Sequence, residues 1–394
     1  MAAVTGAMRA LIVDTDARRA EVPDAQLRPR DLHRTLPGYA PTPLHALDEL
    51  AAELGLGGVW VKDESWRLDL PSFKILGGSW AVHRLILEQA GRPVAGAGMS
   101  ELLAAAAELG EVTLTSATDG NHGRGVARTA RMLGFGAVIF VPEGTAQARI
   151  DAIAGEGAEV VVHPGNYDRA VARATAEAKA HGRIAVADVA LGDDDVQVPT
   201  WVMDGYDTIF DEADEQLSAP PTVVLLQAGV GAFAAAGIRH YLRAAAGSAP
   251  LPRFVTVEPL SADCLRVSAE AGELTTIDAG HESIMAGLNC GTPSSVAWPT
   301  IQAATTAYLA VPDELAREAM RRLAEVGIVA GESGAAGLAG LLAAADDPEV
   351  RAELALDADA RVLVVNTEGA TDPGAYEDIV GRRPEDVRPD PEPA

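Results

Sequence analysis

Lys74 is the first residue whose surroundings suggest chemistry. It lies between Phe73 and Ile75 in the segment SFKILGGSWAV, just before two glycines and an amphipathic helix predicted to run to about Glu88. Apolar neighbours favour the neutral, nucleophilic form of an amine, and that form attacks an aldehyde to make a Schiff base. A lysine at the start of an ordinary surface helix would look the same, so Lys74 alone does not establish the chemistry.

The segment TSATDGNHGRGVA forms a predicted loop between a strand and a helix. Exposed N–H groups at the start of a helix bind anions such as a substrate carboxylate, and glycine lets the anion approach the backbone. The loop residues are Thr118, Asp119, Gly120, Asn121 and His122. Asn121 is suited to a hydrogen bond with a ring hydroxyl. A helix cap formed by Thr118, Asp119 or Asn121 explains the loop equally well without a ligand.

A glycine-containing turn follows the predicted strand TVVLLQ, which ends at Gln227. Its small residues let backbone amides converge on a phosphate, and the dipole of the next helix favours the dianion. The turn consists of Gly229, Val230, Gly231 and Ala232. It lacks the Lys-Ser/Thr ending of a nucleoside-triphosphate loop and the third glycine of a dinucleotide loop, and similar turns without a ligand are common.

Thr367 lies in the segment VVNTEGATD, at the end of the last predicted strand. Its hydroxyl is suited to a hydrogen bond with a pyridine nitrogen. A neutral hydroxyl leaves that nitrogen mostly unprotonated, which makes the ring a weaker electron sink and suits β-elimination better than chemistry that needs a long-lived carbanion. A capped turn without a ligand is the competing interpretation.

The elements that must position these residues alternate along the chain. From about residue 112, short β-branched runs alternate with Ala-rich helical stretches, and the pattern resumes at 222–227 and ends with a strand at 361–366. This alternation predicts βαβ units and an α/β protein with two open twisted sheets and flanking helices. Ligands in such sheets lie beyond the carboxyl ends of the strands, in the loops that lead into helices.

Composition restricts the classes of function. A chain of 394 residues with 48% hydrophobic residues suits two lobes with a cleft between them. The net charge of −26 argues against nucleic-acid and membrane-surface partners. We find no signal peptide or membrane span, which predicts a cytoplasmic protein. The two cysteines, Cys264 and Cys290, are too few for a disulfide-rich scaffold or a Cys-based zinc cluster, so no metal site is predicted.

The order of the four segments resembles that of pyridoxal-phosphate (PLP) enzymes with the tryptophan synthase β-subunit fold (fold type II), such as threonine dehydratases and cysteine synthases. The resemblance runs from about Pro41 to Thr371 and includes the opening PTPLHALDELAAELGLGGVWVKDES. Several segments resemble the diaminopropionate ammonia-lyase family in particular: SFKILGG, TDGNHGRGVA, PTWVMDGYDT, QAGVGAFA, IMAGLNCGTPS, GESGAAGL and NTEGATD.

This resemblance implies roles for the candidate residues. Lys74 would bind the PLP aldehyde covalently, Asn121 would contact the ring hydroxyl, and Thr367 would face the ring nitrogen. The phosphate would lie on Gly229, Val230, Gly231 and Ala232, and the loop with Thr118, Asp119, Gly120 and His122 would bind the substrate. Glu332 lies where related dehydratases have a glutamate near the ring, although it can also belong to a helix cap made by its neighbour Ser333.

Asp119 separates this sequence from threonine dehydratases and cysteine synthases, which usually carry a serine there. A carboxylate would repel the substrate carboxylate, so we expect it to receive a second ammonium group or to remove a proton. The resemblance implies that Asp119 serves the D-isomer of 2,3-diaminopropionate. It implies that Asp188, at the end of the predicted strand IAVAD, serves the L-isomer, although Val189, Ala190 and Leu191 stand where the family more often has threonine and an aromatic residue.

The predicted function is therefore a carbon–nitrogen lyase reaction, the PLP-dependent α,β-elimination of 2,3-diaminopropionate to pyruvate and two ammonia. A threonine or serine dehydratase of the same fold is the main alternative, with Asp119 as a spectator. The second alternative is a non-catalytic protein of this fold that has lost the cofactor, and the intact Lys74 argues against it.

The predicted domains are a large PLP-binding domain (1–90 and 200–380), a small α/β domain (91–199) and a disordered Pro-rich tail (381–394). The resemblance also implies a homodimer. It places Cys264 and Cys290 close enough for a disulfide at the active-site mouth, although reduced thiols are expected in the cytosol.

Overall fold

The computed structural model describes residues 8–13, 27–118, 120–165, 167–190, 196–245, 250–278 and 282–388. Within these residues the chain forms two units. The seven-stranded unit comprises the described parts of 1–24, 41–66 and 209–394, and the four-stranded unit comprises those of 25–40 and 67–208.

The strands are β1 (Arg9–Ile12), β2 (Leu44–Ala46), β3 (Gly58–Asp63), β4 (Thr113–Ala117), β5 (Gly136–Pro142), β6 (Glu159–His163), β7 (Ile184–Ala185), β8 (Val223–Gln227), β9 (Arg253–Pro259), β10 (Thr305–Val311) and β11 (Arg361–Asn366).

The helices are α1 (Pro29–His33), α2 (Asp48–Leu54), α3 (Lys74–Gln89), α4 (Met99–Leu109), α5 (Asn121–Leu133), α6 (Gln147–Ala154), α7 (Tyr167–His181), α8 (Gln197–Gly205), α9 (Asp207–Gln216), α10 (Ala232–Ala244), α11 (Cys264–Ala271), α12 (Trp298–Ala304), α13 (Asp313–Glu325), α14 (Ala336–Asp346), α15 (Pro348–Glu353), α16 (Pro373–Val380) and α17 (Pro384–Val387). A 3₁₀ helix spans Ala286–Leu288.

The seven-stranded sheet has the order β1-β10-β9-β8-β11-β3-β2 in the described part of the chain. Strands β10, β9, β8, β11 and β3 are parallel, whereas β1 and β2 are antiparallel edge strands. All five residues of β8 are buried, as expected for a parallel strand covered on both faces. The strands predicted at 222–227, 254–258 and 361–366 are confirmed as β8, β9 and β11.

The four-stranded sheet is parallel, with the order β6-β5-β4-β7 among the described residues. Helix α3 packs in this unit against α5 and α8. Glycines allow the close approach: a Cβ on Gly125 would lie 2.9 Å from Ile75 Cα, and one on Gly77 would lie 2.6 Å from Val202 O. The unit therefore includes the helix that begins at Lys74, whereas the predicted domain boundary lay at residue 91. The predicted domain division stays a prediction.

The last described residues extend along the seven-stranded unit. Val387 in α17 is buried, and an Arg388 guanidinium nitrogen lies 3.1 Å from Asp63 Oδ2 and 2.9 Å from Ser65 Oγ. Residues 384–388, within the segment predicted as a disordered tail, thus form a helix with a buried side chain and an anchored arginine. Residues 389–394 lie outside the described ranges. No helix in the described ranges has the length and apolar character needed to cross a membrane.

Lys62 and Glu212 form a buried ion pair in the seven-stranded unit. Lys62 Nζ lies 2.8 Å from Glu212 Oε2, and neither side chain is exposed. Replacing Lys62 by methionine leaves the Glu212 carboxylate buried without that positive charge, so we expect the free energy of unfolding to fall by about 3–5 kcal/mol. Urea denaturation followed by circular dichroism measures the change. The matched control is Lys179→Met on the exposed face of α7, where a change within about 0.5 kcal/mol is expected. Equal urea midpoints for the two variants would contradict the prediction.

Candidate active site

Lys74 is the first residue of α3 and lies in the four-stranded unit. Its Nζ is 2.9 Å from Asp188 Oδ2, and it lies 5.7 Å and 5.9 Å from the ring centroids of Phe73 and Tyr206. One quarter of the side chain is exposed. The amine thus has apolar rings beside it, as the sequence predicted, together with a carboxylate that arrives from a distant part of the chain.

Asp188 follows β7 and is nearly buried. The Tyr167 hydroxyl donates a hydrogen bond of 3.1 Å to Oδ1, and His122 Nδ1 lies 4.0 Å from Oδ2. Burial by itself raises the pKa of Asp188, but the electrostatic effects of His122 and Lys74 and the hydrogen bonds from Lys74 and Tyr167 outweigh it and hold the pKa well below its usual range. Asp188 is therefore an ionised carboxylate in contact with the lysine amine.

His122 connects the start of α5 to the segment after β7. Its Nε2 lies 2.8 Å from the Val186 carbonyl oxygen and its side chain is buried. Because a carbonyl only accepts hydrogen bonds, Nε2 carries a hydrogen and Nδ1 is the nitrogen directed toward Asp188. The structure therefore places His122 beside the carboxylate.

The rest of the predicted substrate loop lies at the carboxyl end of β4. Thr118 is buried, and its Oγ1 accepts a hydrogen bond of 2.9 Å from the Gly120 N–H. Asn121 begins α5. Asp119 lies outside the described residues, so its predicted role stays a prediction.

The glycine turn lies in the seven-stranded unit, between β8 and α10. Gly231 has φ +93°, and a Cβ there would lie 2.5 Å from Ile301 Cδ1. A Cβ on Gly229 would lie 2.9 Å from Cys290 Sγ. The left-handed backbone at Gly231 favours glycine, and a side chain at position 229 would require Cys290 to move.

The backbone of this turn fits a phosphate. Among the described residues we find no acceptor for the N–H groups of Gly229, Val230, Gly231 and Ala232. These donors lie at the start of a helix that follows a parallel strand, a place in the fold that is suited to binding a phosphate dianion.

Thr367 follows β11 and is buried. Its Oγ1 accepts a hydrogen bond of 3.0 Å from Gln227 Nε2, so the hydroxyl hydrogen is left to donate, as a pyridine nitrogen requires. The same Gln227 nitrogen is 3.2, 3.1 and 2.9 Å from the carbonyl oxygens of Ser333, Gly334 and Val365. One buried amide thus ties together the ends of β8 and β11 and the loop before α14.

Glu332 is buried in that loop. Its neighbour Ser333 does not cap α14, because Ser333 Oγ accepts the N–H of Gly287 at 3.0 Å and the helix has Ala335 at its N-cap. The capping interpretation of this segment is therefore wrong.

The two cysteines both lie beside Gly229. Cys264 Sγ is 3.7 Å from the Gly229 carbonyl oxygen, and the Cys290 sulfur lies 2.9 Å from the position that a Gly229 Cβ would take. The redox state of the pair stays a prediction.

Two residues near Lys74 and Asp188 were not predicted from the sequence. Tyr167 begins α7, and Tyr206 follows α8 within the segment PTWVMDGYDT. Neither their residue type nor the local sequence pattern identifies them as site residues. Tyr167 is 21 positions from Asp188 in the sequence, and Tyr206 is more than 100 positions from Lys74. Only the folded chain brings them to the site.

Comparison with known proteins gives a consistent result. Residues 35–368 match the model of the pyridoxal-phosphate dependent enzyme family. The chain is 41% identical to the diaminopropionate ammonia-lyase of Escherichia coli (strain K12) over 362 residues, which is 89% of this chain and 90% of that enzyme. The biosynthetic L-threonine dehydratase of Haemophilus influenzae is more distant, with 30% identity over 76% of this chain and 52% of its own length.

A crystal structure of the Escherichia coli diaminopropionate ammonia-lyase in complex with an aminoacrylate-PLP azomethine reaction intermediate is also similar. It has a TM-score of 0.85 and 37% identity, and the match covers 95% of this chain and 97% of the other. The predicted fold type II architecture is thereby confirmed, and the cofactor is PLP. The chain belongs to the family of pyridoxal-phosphate-dependent enzymes and, within it, to the diaminopropionate ammonia-lyases.

Proposed function

We propose that the protein catalyses the α,β-elimination of 2,3-diaminopropionate, as the D-isomer, the L-isomer or both, to pyruvate and two ammonia. The observation that carries the proposal is the contact of 2.9 Å between the Lys74 amine and the nearly buried Asp188 carboxylate, in a chain of the diaminopropionate ammonia-lyase family. In this pair, Lys74 would supply the amine that binds the cofactor aldehyde, and Asp188 would supply the base that accepts the Cα proton of the substrate.

When bound to Lys74, PLP supplies an electron-withdrawing ring that acidifies the Cα–H of the substrate. The protein residues would orient that ring. Asn121 would hold the ring hydroxyl, Thr367 would donate to the ring nitrogen, and the phosphate would lie on the amides of residues 229–232. Glu332 would lie near the ring. A neutral donor at the nitrogen limits the charge that the ring withdraws, which suits elimination.

The acid–base step would fall to the carboxylates. Asp188 would accept the Cα proton of the L-isomer, and Asp119 would accept that of the D-isomer. The β-ammonium group would then leave as ammonia with the electron pair of the C–N bond. Lys74 would bind the cofactor again as the product leaves, and water would convert the product to pyruvate and the second ammonia. Thr118, Gly120 and His122 belong to the loop that would hold the substrate.

The deciding experiment is pyruvate release by the purified protein from each diaminopropionate enantiomer, with serine and threonine assayed in parallel. We expect diaminopropionate to be the preferred substrate. Preferred turnover of serine or threonine would favour the dehydratase alternative. The lack of an absorbance band at about 410–420 nm would favour the alternative of a non-catalytic protein that has lost the cofactor. The homodimer remains a prediction from the resemblance, and the cytoplasmic location remains a prediction from the sequence.

A further inference from the structure

Tyr206 carries a buried hydroxyl that its surroundings do not satisfy. The residue is completely buried, and within the described part of the chain its hydroxyl makes no hydrogen bond of ordinary length, although Lys74 lies near enough to lower its pKa through charge and hydrogen bonding. Buried polar groups are almost always paired, because an unpaired one costs stability. The Tyr206 hydroxyl can therefore take a partner that arrives during the protein's work, and what distinguishes it from other buried hydroxyls is the group beside it.

Packing alone holds the Tyr206 ring in place. The ring meets Phe73 edge to face, with 4.7 Å between the centroids. Gly77 of α3 leaves room for it, since a Cβ there would lie 2.6 Å from Tyr206 Cε1. A phenylalanine would make these contacts equally well, so the hydroxyl is not required to position the ring.

The reactive group near the Tyr206 hydroxyl is the Lys74 amine. Burial raises the pKa of Tyr206 well above its usual range, and the charges acting on it are those of Lys74 and Asp188. The hydroxyl is therefore a neutral hydrogen-bond donor. Lys74 Nζ lies 5.9 Å from the centre of the ring that carries it.

The other neighbours of Lys74 favour its charged form. The Asp188 carboxylate is a direct partner at 2.9 Å, and the Phe73 and Tyr206 rings lie within the distance at which aromatic rings attract cations. An ammonium has no lone pair and cannot attack a carbon–nitrogen double bond. A lysine that must return to release product therefore needs an influence that favours the amine.

We propose that Tyr206 is a positioning residue that holds Lys74 as a neutral amine during turnover, by donating its hydroxyl hydrogen to the lone pair of Nζ. The Lys74 side chain is one quarter exposed, so the proton that leaves Nζ passes to solvent water, while Asp188 stays ionised and Tyr206 keeps its hydroxyl hydrogen. The inference rests on the proposed function only in taking Lys74 as the lysine that binds the cofactor.

The test is Tyr206→Phe, assayed for turnover, cofactor binding and stability. We expect kcat to fall by about tenfold with either enantiomer, with KM changed less than about twofold. The rate at which apoprotein captures added PLP, read from the rise in absorbance near about 410–420 nm, should fall by a similar factor. The thermal unfolding midpoint of the apoprotein should stay the same or rise by up to about 3 °C, because an unsatisfied hydroxyl is removed.

Tyr376→Phe is the matched control. Tyr376 lies in the seven-stranded unit, is 1% exposed, and its hydroxyl also has no partner within the described residues. We expect the same small effect on stability, with kcat and the rate of PLP capture unchanged.

The outcomes separate the two proposals. Unchanged kcat and PLP capture in Tyr206→Phe would overturn the role of the hydroxyl, and so would a lower unfolding midpoint that accounts for the lost activity. If the parent protein releases no pyruvate from either enantiomer, the proposed function fails, but the PLP capture rate still tests Tyr206 because it depends only on the Lys74 amine.

Discussion

Replacing Lys74 by alanine is expected to lower kcat for pyruvate release by about 10⁴-fold or more, with both enantiomers. The change removes the amine that binds the cofactor and the cation that lies 2.9 Å from Asp188. Pyruvate release measures the first effect. Borohydride reduction of the parent protein, followed by peptide mapping, should place the label on residue 74.

The matched control is Lys179→Ala, which removes an exposed lysine from α7 in the same unit. It should keep full turnover and the label at Lys74. A label on another lysine, or substantial activity in Lys74→Ala, would remove the basis of the proposed chemistry.

Asp188→Asn should separate the two enantiomers. We expect kcat with the L-isomer to fall by about 10³-fold, because an amide of the same shape cannot accept the Cα proton, while turnover of the D-isomer should change only a few-fold. The amide oxygen can still accept the Tyr167 hydrogen bond, so gross rearrangement is not expected. Initial rates with each pure enantiomer provide the measurement.

Asp119→Asn is the reciprocal variant. It should lose D-isomer turnover far more than L-isomer turnover. Equal retention of both activities in either variant would argue against two carboxylates with separate roles.

The sequence predicts the central elements of the fold because their patterns are local. β11 spans the predicted residues 361–366, and α13, at Asp313–Glu325, ends one residue before the prediction. Apolar β-branched runs between turns identify buried parallel strands, and these strands carry Gln227 and Thr367 at their ends.

Other elements were not predicted. β10 is almost entirely buried, yet its run TTAYLAV was not assigned to a strand, and the edge strands β1 and β2 are only four and three residues long. Such short segments form because a neighbouring strand supplies hydrogen bonds, and that contribution is not written in their own residues.

The candidate site shows the same division between local and distant information. Lys74 is recognisable from its apolar neighbours and the glycines that follow. Its hydrogen bond with Asp188 joins residues that are 114 positions apart in the sequence. The Tyr206 hydroxyl is buried near Lys74 because α3 and α8 pack closely. Whether a buried side chain has a hydrogen-bond partner depends on the folded chain. The sequence therefore predicts the chemistry of Lys74, but it does not predict that the Tyr206 hydroxyl lies nearby.

The four acceptors shared by Gln227 have a consequence for engineering. The Gln227 amide donates to the carbonyl oxygens of residues 333, 334 and 365 and to the Thr367 hydroxyl. A single substitution at this edge of the seven-stranded unit is therefore expected to disturb several segments together. Substitutions of Gln227 are expected to lower the free energy of unfolding, because they leave buried acceptors without their donor. A search for altered amino-acid preference should therefore diversify the loop at 118–122 and residues 189 and 190, and keep Gln227 constant.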